Sequence, residues 1–320
     1  MILQRLAYLL IAACILLAIP FAFVRPLPDW LPLIGLFGAR LYRLSDEPNL
    51  NGKTDRLLFL ISGWAVVHLL ALLTELPYGP PFAGLPLLSL LLMYEFMPRF
   101  SVVTEAWMKI SLRVTVGLLV ITAWMIAMVI TAPFAAVIAP VCLLIIAAHH
   151  YHAFSNGNGS RTLIVHWLIL TVILWIGVGV FSGVFIIDAL LLAAEERSAP
   201  FFYPLMADWM RYAALAVVLG VGNQLVADLR GENRRITGLS AYWLVTFGVI
   251  VGGLVALGAG VVQAYLIYAG IEAGQAAVLV SPVTTLANGW HLGIPLGLMI
   301  YLVQFVIRRP KFQPQPSPRG

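Results

Sequence analysis

Charge is what this chain has least of. Only 10% of its 320 residues are Asp, Glu, Lys or Arg, against about 25% in soluble domains. Lysine stands at three positions, Lys53, Lys109 and Lys311. Apolar residues make up 61%, where a soluble domain carries about 45–50%. A soluble globule of this length would lack the polar surface to cover itself, so the excess apolar surface must face lipid. Strict apolar–polar alternation over ten-residue segments is also missing, which argues against an outer-membrane β-barrel.

Cysteine is nearly absent. Cys14 and Cys142 both lie inside apolar runs, and two such residues build neither a disulfide framework nor a Cys-based zinc site. The phosphate-loop pattern and the Gly-x-Ser-x-Gly elbow are missing. The fourteen acidic residues fall in loops or near the ends of apolar runs. No carboxylate is therefore expected at the membrane midplane, where many ion-coupled transporters keep one. No Lys falls within an apolar run, which excludes a retinal Schiff base. Glu95 comes nearest to a buried acid, and it is spaced to pair with Arg99 one turn on. The net charge of +5 comes mostly from 16 Arg; in a membrane protein that excess reports topology, not nucleic-acid binding.

What is present is a series of apolar runs. About 20 apolar residues span a ~30 Å hydrocarbon core as a helix. The runs predict nine transmembrane helices, at 6–24, 57–77, 82–98, 111–131, 133–151, 162–186, 211–227, 240–268 and 281–306. The expected fold is all-α, a polytopic membrane helix bundle forming one domain over 1–309, with the proline-rich 310–320 as a disordered tail. The stretch Trp30 to Gly38 is too short to cross, and Pro26, Pro28 and Pro32 separate it from the first span, so it is assigned to the interface. The loops 25–56 and 187–210 are too short to build a soluble domain. The first run ends apolar at Val24, which favours a retained helix over a cleaved signal peptide, although Ile11-Ala12-Ala13-Cys14 has the form of a lipoprotein cleavage box.

Nine crossings divide Lys and Arg into 16 on one face and three, Arg5, Arg197 and Arg211, on the other. Basic loops stay in the cytoplasm. The split predicts a multi-pass protein of the cell inner membrane, with its N-terminus outside and its C-terminus cytoplasmic.

Six histidines carry the chemistry, because an ionisable group inside a membrane is costly and marks function by default. His149, His150 and His152 end the fifth span, and His166 sits in the second turn of the sixth. The turn Ser155-Asn156-Gly157-Asn158-Gly159-Ser160 between them makes the two spans antiparallel neighbours. Two or three imidazoles meeting across this hairpin would suit a transition metal; the plainer alternative is an interfacial anchor. His68 and His291 fall about 15 Å inside spans two and nine. That depth suits a bis-histidine b-type haem if the two spans are adjacent; otherwise each bonds to a neighbouring helix. In span nine Ser281, Thr284, Thr285, Asn288 and His291 recur at three- and four-residue spacing as one polar stripe, a candidate cavity lining or a set of interhelical hydrogen bonds. Pro295, four residues past His291, predicts a kink and a freed backbone carbonyl. Gly248 and Gly252 predict close helix packing in span eight. Phe201, Phe202, Tyr203 and Trp209 form an aromatic belt that could also meet quinone.

Three functional readings follow: a haem- or metal-bearing redox protein, with quinone as a candidate partner; a transporter or channel for a small solute lined by the span-nine stripe; and an accessory or assembly subunit of a membrane complex. Midplane imidazoles without midplane carboxylates favour the first. In each the partner is the lipid bilayer and no nucleic acid is implied.

Overall fold

A computed structural model describes residues 2–24, 27–28, 30–46, 163–192, 195–230 and 238–307. Every element among them is helical: α1 (Ile2–Val24), α2 (Trp30–Asp46), α3 (Leu163–Leu192), α4 (Glu195–Arg230), α5 (Leu239–Tyr268), α6 (Ala273–His291) and α7 (Gly293–Ile307). Ile2–Val24, Ala207–Leu229, Leu239–Tyr268 and the α6–α7 pair over Ala273–Val306 are long and apolar enough to cross a membrane, and Leu163–Val178 is a shorter apolar stretch. The protein is an integral membrane protein by this composition. The four expected spans between 57 and 151, and the tail 310–320, lie outside the described residues.

The first correction concerns α2. The helix runs 17 residues and does not stop at Gly38; at 1.5 Å per residue that is about 26 Å. It returns antiparallel along α1. Gly38 abuts Ala7, Leu10 and Ile11, and Gly35 abuts Cys14 and, on α4, Val218. The Cys14 thiol donates to the Leu31 carbonyl across the pair (3.3 Å), and Trp30 meets Phe21 edge to face. Leu31, Leu36, Ala39 and Tyr42 are buried. An interfacial helix would leave one long face open, whereas α2 is inserted between α1 and α4. Arg40 and Arg43 interrupt its apolar run, which is why hydropathy cut it short.

The second correction is at 187–210, expected as a loop. Helix α3 runs to Leu192 and α4 starts at Glu195, so the connection is short. The two pack antiparallel along their length. The Thr171 hydroxyl donates to the Ala213 carbonyl (3.0 Å), Gly177 receives the Trp209 ring, and Gly220 faces Trp167 and Ile164.

The ends of the bundle follow from side-chain contacts. Tyr8, in the second turn of α1, stacks on Phe305 near the end of α7, with centroids 4.6 Å apart, and its hydroxyl donates to the Phe305 carbonyl (3.3 Å). Tyr42 at the end of α2 donates to Asp228 at the end of α4. Gly238, entering α5, lies against Leu163 of α3 and Gln304 of α7. Hence α1, α3 and α5 start, and α2, α4 and α7 finish, at one end, which also carries Arg5, Arg40 and Arg43. We call it the basic end. The first and last described helices thus meet at the same end, where opposite faces were expected for the two termini.

The core fills with large rings and small gaps between helices. Trp167 and Trp175 of α3 are fully buried; Trp167 meets Tyr242 of α5 and Tyr301 of α7 edge to face. The Tyr301 hydroxyl donates to the Leu219 carbonyl (2.6 Å), and the Trp209 indole N–H to the Val249 carbonyl (3.2 Å). These bonds satisfy the polar tips of Tyr301 and Trp209, whereas the buried Trp167 and Trp175 indole N–H groups have no hydrogen-bond partner among the described residues. At the opposite end α5 stops at Gly270, whose φ of +91° suits glycine. Its N–H bonds the Ile267 carbonyl while Ile271 N–H bonds the Leu266 carbonyl, a Schellman-type stop.

Candidate functional site

The best-defined candidate sits where α5 meets the break between α6 and α7. Glycines on both sides let the backbones touch. A Cβ on Gly248 would lie 2.9 Å from the Ile294 amide nitrogen, one on Gly293 2.8 Å from the Leu244 carbonyl, and one on Gly297 2.9 Å from the Ala241 carbonyl. The seam was half foreseen: Gly248 and Gly252 signalled it on α5, but Gly293 and Gly297, also four apart, answer them from the other helix.

Between these contacts the chain breaks. Helix α6 ends at His291, Leu292 turns, and α7 starts at Gly293. The Leu292 and Leu296 N–H groups still bond to the carbonyls four residues back, Asn288 and Leu292. Pro295 has no N–H to give the His291 carbonyl, and its ring crowds that carbonyl. The break is therefore a kink with one freed acceptor, as Pro295 predicts.

His291 stands at this point. Its ring lies on Gly252, where an added Cβ would come within 2.7 Å of Nε2. Gly252 is 13 residues into α5, about 20 Å from the basic end, so the ring is deep in the bundle. The residue is 8% exposed. Its Nδ1 is buried with no hydrogen-bond partner among the described residues. Such a group costs about 1–3 kcal/mol. Neither α5 from Val245 to Leu257 nor α6 supplies another ionisable side chain. His291 is thus the one ionisable side chain that α5 and α6 bring to this contact, beside the carbonyl from which Pro295 withholds a bond.

The rest of the stripe turns another way. Helix α6 buries Ala276, Val280, Ala287 and His291. Ser281, Thr285 and Asn288 are exposed and Thr284 is half-buried. The Thr284 and Thr285 hydroxyls both bond the Ser281 carbonyl (2.9 and 2.8 Å), so two of the stripe's groups are satisfied within the helix. Among the described residues Thr284 lies on the face of α6 that carries His291, one turn past Val280, while Ser281, Thr285 and Asn288 lie toward the exposed side.

The other histidines divide by position. His166 is described, half-buried in the first turns of α3, with its ring against Tyr242 (5.5 Å between centroids). Tyr242 and Gly252 are ten residues apart on α5, about 15 Å, so His166 and His291 occupy different levels. His68, His149, His150 and His152 lie outside the described residues, and with them the second half of the haem pair and most of the hairpin cluster. Among the described residues no group of three or more His, Cys, Asp or Glu is placed to hold a metal.

Sequence reasoning missed one polar cluster, at the basic end. Asp228 of α4 accepts from Tyr42 of α2 and from Gln224 one turn back (2.5 Å), and Arg43 beside Tyr42 is 5% exposed. Only a helix continuing past Gly38 brings these residues together, so no pattern in the chain announced them. The chain matches no family model, no curated protein and no solved structure.

Proposed function

We propose that the protein carries a small, uncharged polar solute across the inner membrane, with the kinked α6–α7 helix and His291 at its working centre. One observation carries this reading: a crossing helix breaks deep in the bundle, beside a buried imidazole and a freed carbonyl. Interrupted helices are how many transporters present backbone and side-chain polar groups at mid-membrane. The groups on offer along the open side of α6 are a hydroxyl and an amide, at Ser281 and Asn288, with Thr284 and the His291 imidazole set behind them toward α5. None carries a fixed charge, and a charged solute would pay a large desolvation cost without one. The exposed amide of Asn288 is expensive against lipid, so the reading runs a water-filled path along this face of α6.

The redox reading asks His291 to ligate haem or a metal with a second imidazole, His68 for a haem or the set His149, His150, His152 and His166 for a metal. The contact of the His291 ring with Gly252 favours transport, since the ring lies on a neighbouring backbone and not across a gap. The same proposal takes α2 as a crossing, giving ten spans with both termini in the cytoplasm. The shared basic end of α1 and α7 supports it.

The test is solute flux. Purified protein in liposomes is mixed with hyperosmotic glycerol or urea, and reswelling is followed by stopped-flow light scattering. Wild-type vesicles should reswell faster than empty ones, and His291→Ala and Asn288→Ala should lose the gain. Reswelling equal to that of empty vesicles with both solutes overturns the reading, and a Soret band in the purified protein would transfer it to haem.

A further inference from the structure

We infer that the junction of α3, α4, α5 and α7 around Trp167 holds internal water, bound by the Trp167 indole N–H, the Asn223 amide and the Thr246 hydroxyl. The site is separate from His291, and it stands whatever the protein carries.

Three helices supply these groups and a fourth closes the junction. Trp167 is fully buried, four residues into α3 and about 6 Å from the basic end. Its ring stands edge to face against Tyr301 of α7 and Tyr242 of α5, with centroids 6.1 and 5.1 Å away. Each tyrosine leads to a second polar group. The Tyr301 hydroxyl lies against Gly222 and the Asn223 backbone amide of α4. The Tyr242 hydroxyl lies beside that of Thr246, one turn on along α5. Tyr301, Tyr242 and Thr246 are buried. Asn223 is half-buried, with its amide nitrogen shielded from solvent.

What these groups lack is an acceptor. Trp167 Nε1 and Asn223 Nδ2 are buried with no hydrogen-bond partner among the described residues, and Thr246 Oγ1 makes no well-aligned bond either. An indole N–H and an amide NH₂ are both donors, so neither can satisfy the other. The Leu219 carbonyl beside them is already full. It accepts the Tyr301 hydroxyl and the helical N–H four residues on, which uses both of its lone pairs. A ring face is at most a weak acceptor.

Water supplies what is missing. Its oxygen accepts from the two donors, and its protons go to oxygens such as that of Thr246. Buried polar groups are otherwise bonded in native proteins, and an internal water typically serves about three of them, the number this junction offers. Trp175 has a stranded N–H too, but no described ring or hydroxyl contact places a second polar group beside it.

Radiolytic footprinting in lipid nanodiscs tests this. A brief X-ray pulse splits water in place, and the hydroxyl radical labels the side chain that the water touches. Trp167 and Tyr301 are 0% and 2% exposed, so label there reports bound water and not bulk solvent. Both should be labelled in the wild-type protein. Trp209, buried with its N–H on the Val249 carbonyl, is the control and should stay unlabelled. Thr246→Val replaces the hydroxyl by a methyl of similar size and should lower the label at Trp167; adding Asn223→Leu should remove it. Label at Trp167 and Tyr301 no greater than at Trp209 overturns the inference, and so does label at Trp167 that neither variant lowers. If the Asn223→Leu protein does not fold, wild type and Thr246→Val decide. No solute is present, so the outcome is independent of the flux assay.

Discussion

The glycine seam between α5 and the α6–α7 kink makes the sharpest stability prediction. Gly248→Ala adds one methyl group. In this structure it would lie 2.9 Å from the Ile294 amide nitrogen and 3.2 Å from the Trp290 carbonyl oxygen. Both are backbone atoms, so no rotamer change relieves the contact and the helices must separate. Overpacking of this kind costs about 1–3 kcal/mol, while alanine returns about 0.5–1 kcal/mol of helix propensity over glycine. The expected net loss is about 0–2.5 kcal/mol. Gly297→Ala, opposed by the Ala241 carbonyl at 2.9 Å, should behave alike. Gly258 and Gly289 are the internal controls: each is helical, and among the described residues nothing lies within 4 Å of the position a Cβ would take. Gly258→Ala and Gly289→Ala should be neutral or stabilising. The assay is unfolding of the purified protein in mixed dodecyl maltoside–SDS micelles, followed by tryptophan fluorescence, with all four variants compared at one protein concentration. A loss at Gly258 or Gly289 equal to that at Gly248 and Gly297 would refute the seam, because it would show that the cost tracks glycine removal and not close approach.

Four further outcomes follow. Trp209→Ala should cost about 3–5 kcal/mol in the same assay, since the indole fills the space at Gly177 and Gly253 and donates to the Val249 carbonyl; Trp209→Phe should lose less. Tyr301→Phe removes the bond to the Leu219 carbonyl but keeps the ring, and should cost about 0.6 kcal/mol, the typical size of a hydrogen bond between membrane helices. Green fluorescent protein fused to either terminus should fluoresce, and alkaline phosphatase fused to either should be inactive; an active N-terminal phosphatase would return the first helix to the opposite orientation. Cys14, buried with its thiol on the Leu31 carbonyl, should resist maleimide in the folded protein and react on denaturation; ready labelling would mean that α2 does not lie along α1.

Much of the described fold was readable in the chain, and the parts that were not share a cause. The spans at 6–24, 211–227, 240–268 and 281–306 correspond to α1, the apolar part of α4, α5 and the α6–α7 pair, and 162–186 falls on α3, because lipid demands apolar length and that demand is written residue by residue. The kink was readable because proline acts through a local bond. Helix α2 was not: Arg40 and Arg43 read as the end of an apolar run, and only the packing of Tyr42 on Asp228 shows the helix continuing. The facing of His291 and the stripe was half readable. Periodicity places Ser281, Thr284, Asn288 and His291 within a broad arc of α6, but whether that arc meets α5 depends on a neighbour. The neighbour, through Gly252, selects His291 and leaves Ser281 and Asn288 exposed.

The charge count shows why a strong regularity can still leave the topology open. Nine crossings with an external N-terminus put Arg5 on the poor face and Arg25 on the rich one. Counting α2 as a tenth crossing, with an internal N-terminus, moves Arg5 to the rich face and Arg25 to the poor one and changes nothing else. Both schemes divide the 19 basic residues as 16 and three, so the positive-inside rule is blind to the choice. A contact between sequence-distant ends supports the second scheme, the one proposed above. Tyr8 and Phe305, 297 residues apart, stack and share a hydrogen bond, which a first helix starting at the opposite end from the last one's finish would not allow. Arg40 and Arg43 are then no longer loop charges after a single crossing. They lie in the last turns of the second helix of a hairpin, at the same end as Arg5.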